Sequence, residues 1–188
     1  MRAVFVAIET ALILAAAPPY VIDTLKRRTK PERATWFILS VLSVIGFVAE
    51  LNIGVNWSLV FLGLDAATSI TVFALSIPFG VGGSTPLDRY ALAVAALGVA
   101  AALVVDKPIV ALFGTILADI AGTSLTIRKA YLESSTETTV SWLLVGAAAC
   151  FGVLTVGKIE FALLLWPVYL ALANLAVPAA QWIGRRNG

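Results

Sequence analysis

Apolar residues run along this chain in blocks too long for strands and too uniform for the one-sided stripe of a surface helix. Seven blocks lie at about 3–22, 36–53, 57–77, 88–105, 108–128, 140–156 and 160–182. Each is roughly 17–25 residues, the length of helix that crosses the hydrocarbon core of a bilayer. The polar segments between them are short and leave no room for a soluble domain. In lipid, only helices and closed barrels satisfy every backbone N–H and C=O. The pattern therefore predicts an all-α integral membrane protein with seven transmembrane helices. The first block is not expected to be a cleaved signal: it lacks a basic lead beyond Arg2 and runs into Pro18-Pro19 and a charged loop.

Composition agrees with this. The chain is 60% hydrophobic and 13% charged, too little polar surface for a soluble domain of its length. The net charge of +2 says little, but its distribution says more. With the loop after the first block placed in the cytoplasm, that side carries Lys26, Arg27, Arg28, Lys30, Arg33, Arg89, Arg128, Lys129, Arg185 and Arg186. The other side carries Arg2, Lys107 and Lys158. This asymmetry predicts an outside N-terminus and a cytoplasmic C-terminus. The dense loop Lys26–Arg33 reads first as a topology signal at an anionic leaflet.

A short pattern occurs twice, each time where an apolar block ends. The first copy is Pro19-Tyr20-Val21-Ile22-Asp23-Thr24-Leu25, followed by Trp36. The second is Leu125-Thr126-Ile127-Arg128-Lys129-Ala130-Tyr131, followed by Trp142. Both tryptophans come 17 positions after the start of their copy and follow a hydroxyl residue, Thr35 or Ser141. Both copies sit at basic ends, so the halves must be parallel, and parallel triplets need one extra span between them. The fourth block fills that place. It is rich in alanine and glycine, which lets helices approach closely in lipid. The expected division is a first triple-helix bundle at 1–79, a linker helix at 80–106 and a second bundle at 107–188. The stretch Phe79-Gly80-Val81-Gly82-Gly83-Ser84 reads as a flexible loop. A duplicated unit in a membrane protein is the usual trace of a transporter with a midplane site.

Ionisable residues inside apolar spans are costly and usually functional. Glu9, Glu50, Asp65 and Asp119 are the candidates, and Asp65 is the strongest. It sits near the middle of the third block, and Thr68 and Ser69 share its helix face at i+3 and i+4. Such a stripe suits hydrogen bonding to a polyol. An aspartate bonded to the hydroxyls of a neighbouring helix would give the same pattern. With more than one acid inside the spans, proton coupling is an open reading. Asn174 lies near the middle of the seventh block, with Tyr169 before it. An asparagine there either contacts a solute or joins helices. Asp23 and Lys129 occupy matched places in the two copies with opposite charge, so they form a candidate gate pair. Trp36, Trp142, Trp57 and Trp166 read as interfacial belt residues. The lone Cys150 reads as a small packing residue. There is no histidine, no metal-binding cluster and no nucleophile–base pair, so neither a metal, a cofactor nor an enzyme activity is expected. Nothing points to nucleic acid.

The 3+1+3 layout, with a proline-containing motif ending the first helix, resembles the PQ-loop superfamily that includes the SWEET and SemiSWEET sugar transporters. The stretches Pro19–Asp23, Thr29–Trp36, Ala118-Asp119, Thr126–Tyr131 and Trp166–Asn174 are similar to an uncharacterised prokaryotic branch of PQ-loop-like membrane proteins. The resemblance implies a plasma-membrane transporter in a prokaryotic cell that works on a small solute, a sugar or polyol foremost, by alternating access. It implies a pocket around Asp65, Thr68, Ser69, Asn174, Tyr169 and Glu50. It also implies hinge or gate roles for Pro19, Tyr20, Asp23, Leu125 and Lys129. Two departures stand out. Tyr20 stands where the family name implies glutamine, and Leu125 stands where a second proline is expected. Another cargo of the vitamin or nucleoside kind, a proton-coupled solute, or a non-transporting receptor are the alternatives. Surrounding lipid and the small solute are the expected partners, with the chain a monomer or a homo-oligomer.

Overall fold

The computed structural model describes residues 2–53 and 57–187. The described residues form seven helices and no strand: α1 (Arg2–Leu25), α2 (Arg33–Ile53), α3 (Trp57–Phe79), α4 (Pro86–Val104), α5 (Pro108–Leu132), α6 (Thr139–Thr155) and α7 (Phe161–Asn187). Six are long and apolar enough to cross a membrane. The exception is α6, which has 17 residues. Large apolar side chains stand outward over much of the surface, among them Leu97, Val104 and Phe161, as lipid-facing helices require. The chain is a membrane-embedded helical protein.

Each predicted block lies on a helix, but several helices outrun their block. α1 continues through Pro18 and Pro19 to Leu25. A proline removes only the bond its own N–H would make, and the rest of the ladder persists. The chain then turns back through Arg27, which adopts a left-handed φ of 59°, while the N–H groups of Arg28 and Thr29 both bond Asp23 O. A left-handed residue just beyond a helix end satisfies carbonyls that would otherwise lack partners. α4 starts on a capping box, Thr85 with Asp88, followed by Pro86, a sequence well suited to helix initiation.

The helices sort into two compact units. One comprises residues 1–29 and 127–188, the other residues 30–126. This division does not follow the expected boundaries at 79 and 106. In the first unit α1 packs on α6, and α6 on α7. In the second, α2 packs on α3 and α4, and the 108–126 part of α5 joins them. The second unit's core is the cluster Ala34, Ile38, Ala91, Ala95, Ala118, Ala121 and Leu125. The small residues of the fourth span do allow a close backbone approach here. A Cβ on Gly98 would run into Gly114 O, and one on Gly114 into Gly98 O, with Ala118 and Ala102 beside them. Small residues bring the α4 and α5 backbones together, where van der Waals contact drives association.

The stretch 79–84 is a fastened loop, not a loose one. The guanidinium of Arg33 donates to four carbonyls: Ser76 at 2.9 Å, Ile77 at 3.2 Å, Gly80 at 2.9 Å and Gly82 at 2.9 Å. The backbone adds Val81 N to Pro31 O at 3.0 Å and Arg33 N to Val81 O at 2.9 Å. Gly82 and Gly83 take left-handed φ values of 73° and 89°, which glycine alone adopts without strain.

Candidate functional site

Two polar centres emerge, one in each unit. In the unit of residues 30–126, Asp65, Thr68 and Ser69 share a face of α3, as expected. Ser69 is buried, and Asp65 and Thr68 are half-buried. Asp119 of α5 is 6% exposed and accepts a hydrogen bond from Thr123 at 3.2 Å. Its carboxylate lies within electrostatic range of Asp65. Two acids on different membrane helices of this unit thus feel each other's charge, and Asp119 holds a hydroxyl of its own helix. The sequence marked both residues, but nothing in it brought them together. Glu50, half-buried near the end of α2, belongs to the same unit.

Asn174 and Tyr169 belong to the other unit. Asn174 is buried and donates to Leu170 O at 2.9 Å, on its own helix. Half-buried Tyr169 lies against Trp166, with ring centroids 5.9 Å apart. The side chain of Trp57 lies outside the described residues.

The second polar centre sits on the loop between α5 and α6. Glu137 is fully enclosed and forms an ion pair with Lys129, itself 7% exposed. The same carboxylate accepts from Tyr20 Oη at 3.2 Å and from Trp142 Nε1 at 2.8 Å. Gln181 of α7 donates to the backbone oxygens of Ser134 and Glu137, both at 3.0 Å, and its own oxygen accepts from Thr139 at 2.9 Å. Thr138 bonds Thr29 at 2.5 Å and Asp23 at 3.1 Å. An acid that Lys129 answers is therefore Glu137, which the matched positions did not suggest. The neighbouring Thr138 engages Asp23, and Arg28 lies 3.9 Å from it. Sequence reasoning missed Glu137 because a glutamate in a polar run reads as solvated. Its spacing to Trp142 carries no periodic signal.

The remaining expected gate residues are structural in their surroundings. Pro19 is half-buried within α1. Tyr20 is 3% exposed, its ring edge-on to Trp142 at 6.2 Å. Leu125 is buried in the core cluster. Trp36 and Trp142 are buried as well, so neither forms part of an interfacial belt. Beside Trp36, Thr35 donates to Gly122 O at 2.6 Å and accepts from Thr126 at 3.0 Å. Cys150 is exposed on α6, outside the packing role expected of it.

Outside the spans, Glu32 has its carboxyl raised above the ordinary range, chiefly because it is buried. The Asp88 charge pushes the same way, while hydrogen bonds from Thr35 and Ala34 pull against it. Its Oε2 takes the Thr35 N–H at 2.5 Å, and its Oε1 is buried with no hydrogen-bond partner. Among the described residues no group of three or more His, Cys, Asp or Glu is placed to hold a metal ion. Comparisons with protein-family models, with curated proteins and with solved structures yield no match.

Proposed function

We propose that this chain is a membrane transporter for a small solute, with Asp65 and Asp119 at its polar centre. The observation that carries the proposal is a pair of carboxylates in one compact unit, Asp65 on α3 and Asp119 on α5, within electrostatic range of each other among membrane-crossing helices. Buried charge inside a membrane bundle is expensive to keep and commonly marks an ion or substrate path. Ser69 and Thr123 supply hydroxyls that can bond a neutral polyol or complete the coordination of a proton carrier. Paired acids suit a proton-coupled solute better than a sugar site built on asparagines alone.

The architecture we propose is a duplication in the 3+1+3 style of the PQ-loop and SWEET superfamily, in a prokaryotic plasma membrane with the N-terminus outside. Its support is the make-up of the compact units. The first helix of one copy, α1, packs on the second helix of the other, α6, in the unit that also holds α7. Likewise α5, the first helix of the second copy, packs with α2 through Thr35, Thr126 and Gly122. In the other unit, Trp142 of α6 meets Tyr20 of α1. A non-transporting receptor is the second reading, favoured by Leu125, which is locked in a core where a hinge proline would be expected.

The test is counterflow of labelled hexoses and disaccharides in proteoliposomes, with and without a pH gradient, for wild type, Asp65→Asn and Asp119→Asn. Uptake that responds to the gradient and is lost in both variants, with protein still folded, is the expected result. No uptake of any sugar, or uptake indifferent to both substitutions, would remove the acid pair from the mechanism and leave the receptor reading.

A further inference from the structure

The second unit carries a groove that the acid pair does not use. It has a volume of about 260 Å³ and runs between α2, α3 and α4, with Arg33 and Gly83 at one end and Phe37, Phe73, Ile77 and Leu92 along it. The rings of Phe37 and Phe73 lie 5.3 Å apart and form an apolar wall. Phe37 and Ile77 are 44% and 61% exposed, so the groove opens outward from membrane-crossing helices, toward lipid.

Its polar end is positively charged. The hydrogen bonds of Arg33 all go to neutral carbonyls, which position the guanidinium without cancelling its charge. Arg89 stands one turn before Leu92 on the same face of α4 and is exposed. The two nearby acids are turned inward. Glu32 and Asp88 are each 4% exposed, engaged with Thr35 and Thr85. An apolar trough with the Arg33 guanidinium at its end, and with Arg89 one turn from its Leu92 wall, matches an acyl chain that ends in a phosphate. Among the described residues, the burial of Glu32 and Asp88 beside them favours a headgroup with net negative charge over one carrying its own cation.

We propose that this groove holds one anionic phospholipid of the surrounding bilayer, with an acyl chain along Phe37, Phe73, Ile77 and Leu92 and its phosphate at Arg33 and Arg89. Arg33 also fastens the 79–84 loop, so its removal would confound binding with folding. Arg89 is the clean probe of charge, and Leu92→Trp fills the trough.

The experiment is native mass spectrometry of the detergent-purified protein with equal amounts of phosphatidylglycerol and phosphatidylcholine. Wild type should retain one phosphatidylglycerol in preference to phosphatidylcholine. Arg89→Gln should cut that preference about fivefold, the worth of one basic residue at a membrane surface. Leu92→Trp should reduce retention of both lipids. If Leu92→Trp fails to give monodisperse protein, Ile77→Trp blocks the same trough from an exposed position. Equal retention of the two lipids by wild type would overturn the proposal. So would a preference unchanged in Arg89→Gln, or retention undiminished by either tryptophan.

Discussion

Replacing Glu137 by alanine removes the centre of the α5–α6 loop. Its carboxylate is fully buried and serves three donors at once: the Lys129 ammonium, the Tyr20 hydroxyl and the Trp142 indole N–H. Alanine takes away the carboxylate that a buried ammonium and two neutral donors share. Breaking a buried ion pair from one side costs about 3–5 kcal/mol, because the surviving charge stays desolvated. For a chain of this size each kcal/mol moves the melting temperature by about 2–4 °C, so the loss should be about 6–20 °C. The assay is thermal unfolding in one detergent, followed by tryptophan emission and by the monodisperse fraction. Trp142 reports directly, since its indole loses a hydrogen bond at 2.8 Å. The double substitution Lys129→Met with Glu137→Gln removes the stranded charge and keeps an acceptor for Tyr20 and Trp142, so it should recover at least half of the loss. If Glu137→Ala melts within about 2 °C of wild type, less than one kcal/mol, or if the double variant is no better than the single, Glu137 does not hold the loop.

Four further outcomes are expected. Gly98→Ala should destabilise by about 1–3 kcal/mol, because the new Cβ meets the Gly114 carbonyl across the α4–α5 crossing; a melting curve unchanged from wild type would show that the two backbones can part at no cost. Arg33→Lys should open the 79–84 loop to proteinase K, since a point-like ammonium cannot reproduce a planar fork bonded to four carbonyls; an unchanged cleavage rate would place the restraint elsewhere. Glu32 binds its proton more tightly when folded than at its ordinary 4.5, so its contribution to stability falls as pH rises from about that value through the raised one, and is most favourable in acid. Glu32→Gln should therefore flatten the pH dependence of melting in that window and raise stability at neutral pH, and a steeper profile in the variant would contradict the sign. Asn174→Ala should reduce stability more than solute binding, because its amide is committed to Leu170 O; a loss of counterflow in well-folded protein would return Asn174 to the pocket.

The helices were legible in the sequence because lipid imposes one requirement on every span: apolar side chains and an internally satisfied backbone. Runs of apolar residues therefore located all seven, and the box Thr85-Pro86-Leu87-Asp88 marks the start of α4 from local chemistry alone. Small residues foretold the tight crossing at Gly98, since only a missing Cβ admits another backbone. The polar stripe Asp65, Thr68 and Ser69 could be read because residues three and four apart share a helix face. Pairing was not legible. Seven hydrophobic rods of similar composition can be grouped in many ways, and lipid does not favour one grouping over another by hydrophobicity. Only tertiary contacts placed α1 against α6, Asp119 near Asp65, and Glu137 between Tyr20, Lys129 and Trp142. These contacts depend on side-chain shape and on single hydrogen bonds, such as Tyr20 to Glu137 across more than a hundred residues, and they leave no periodic mark along the chain.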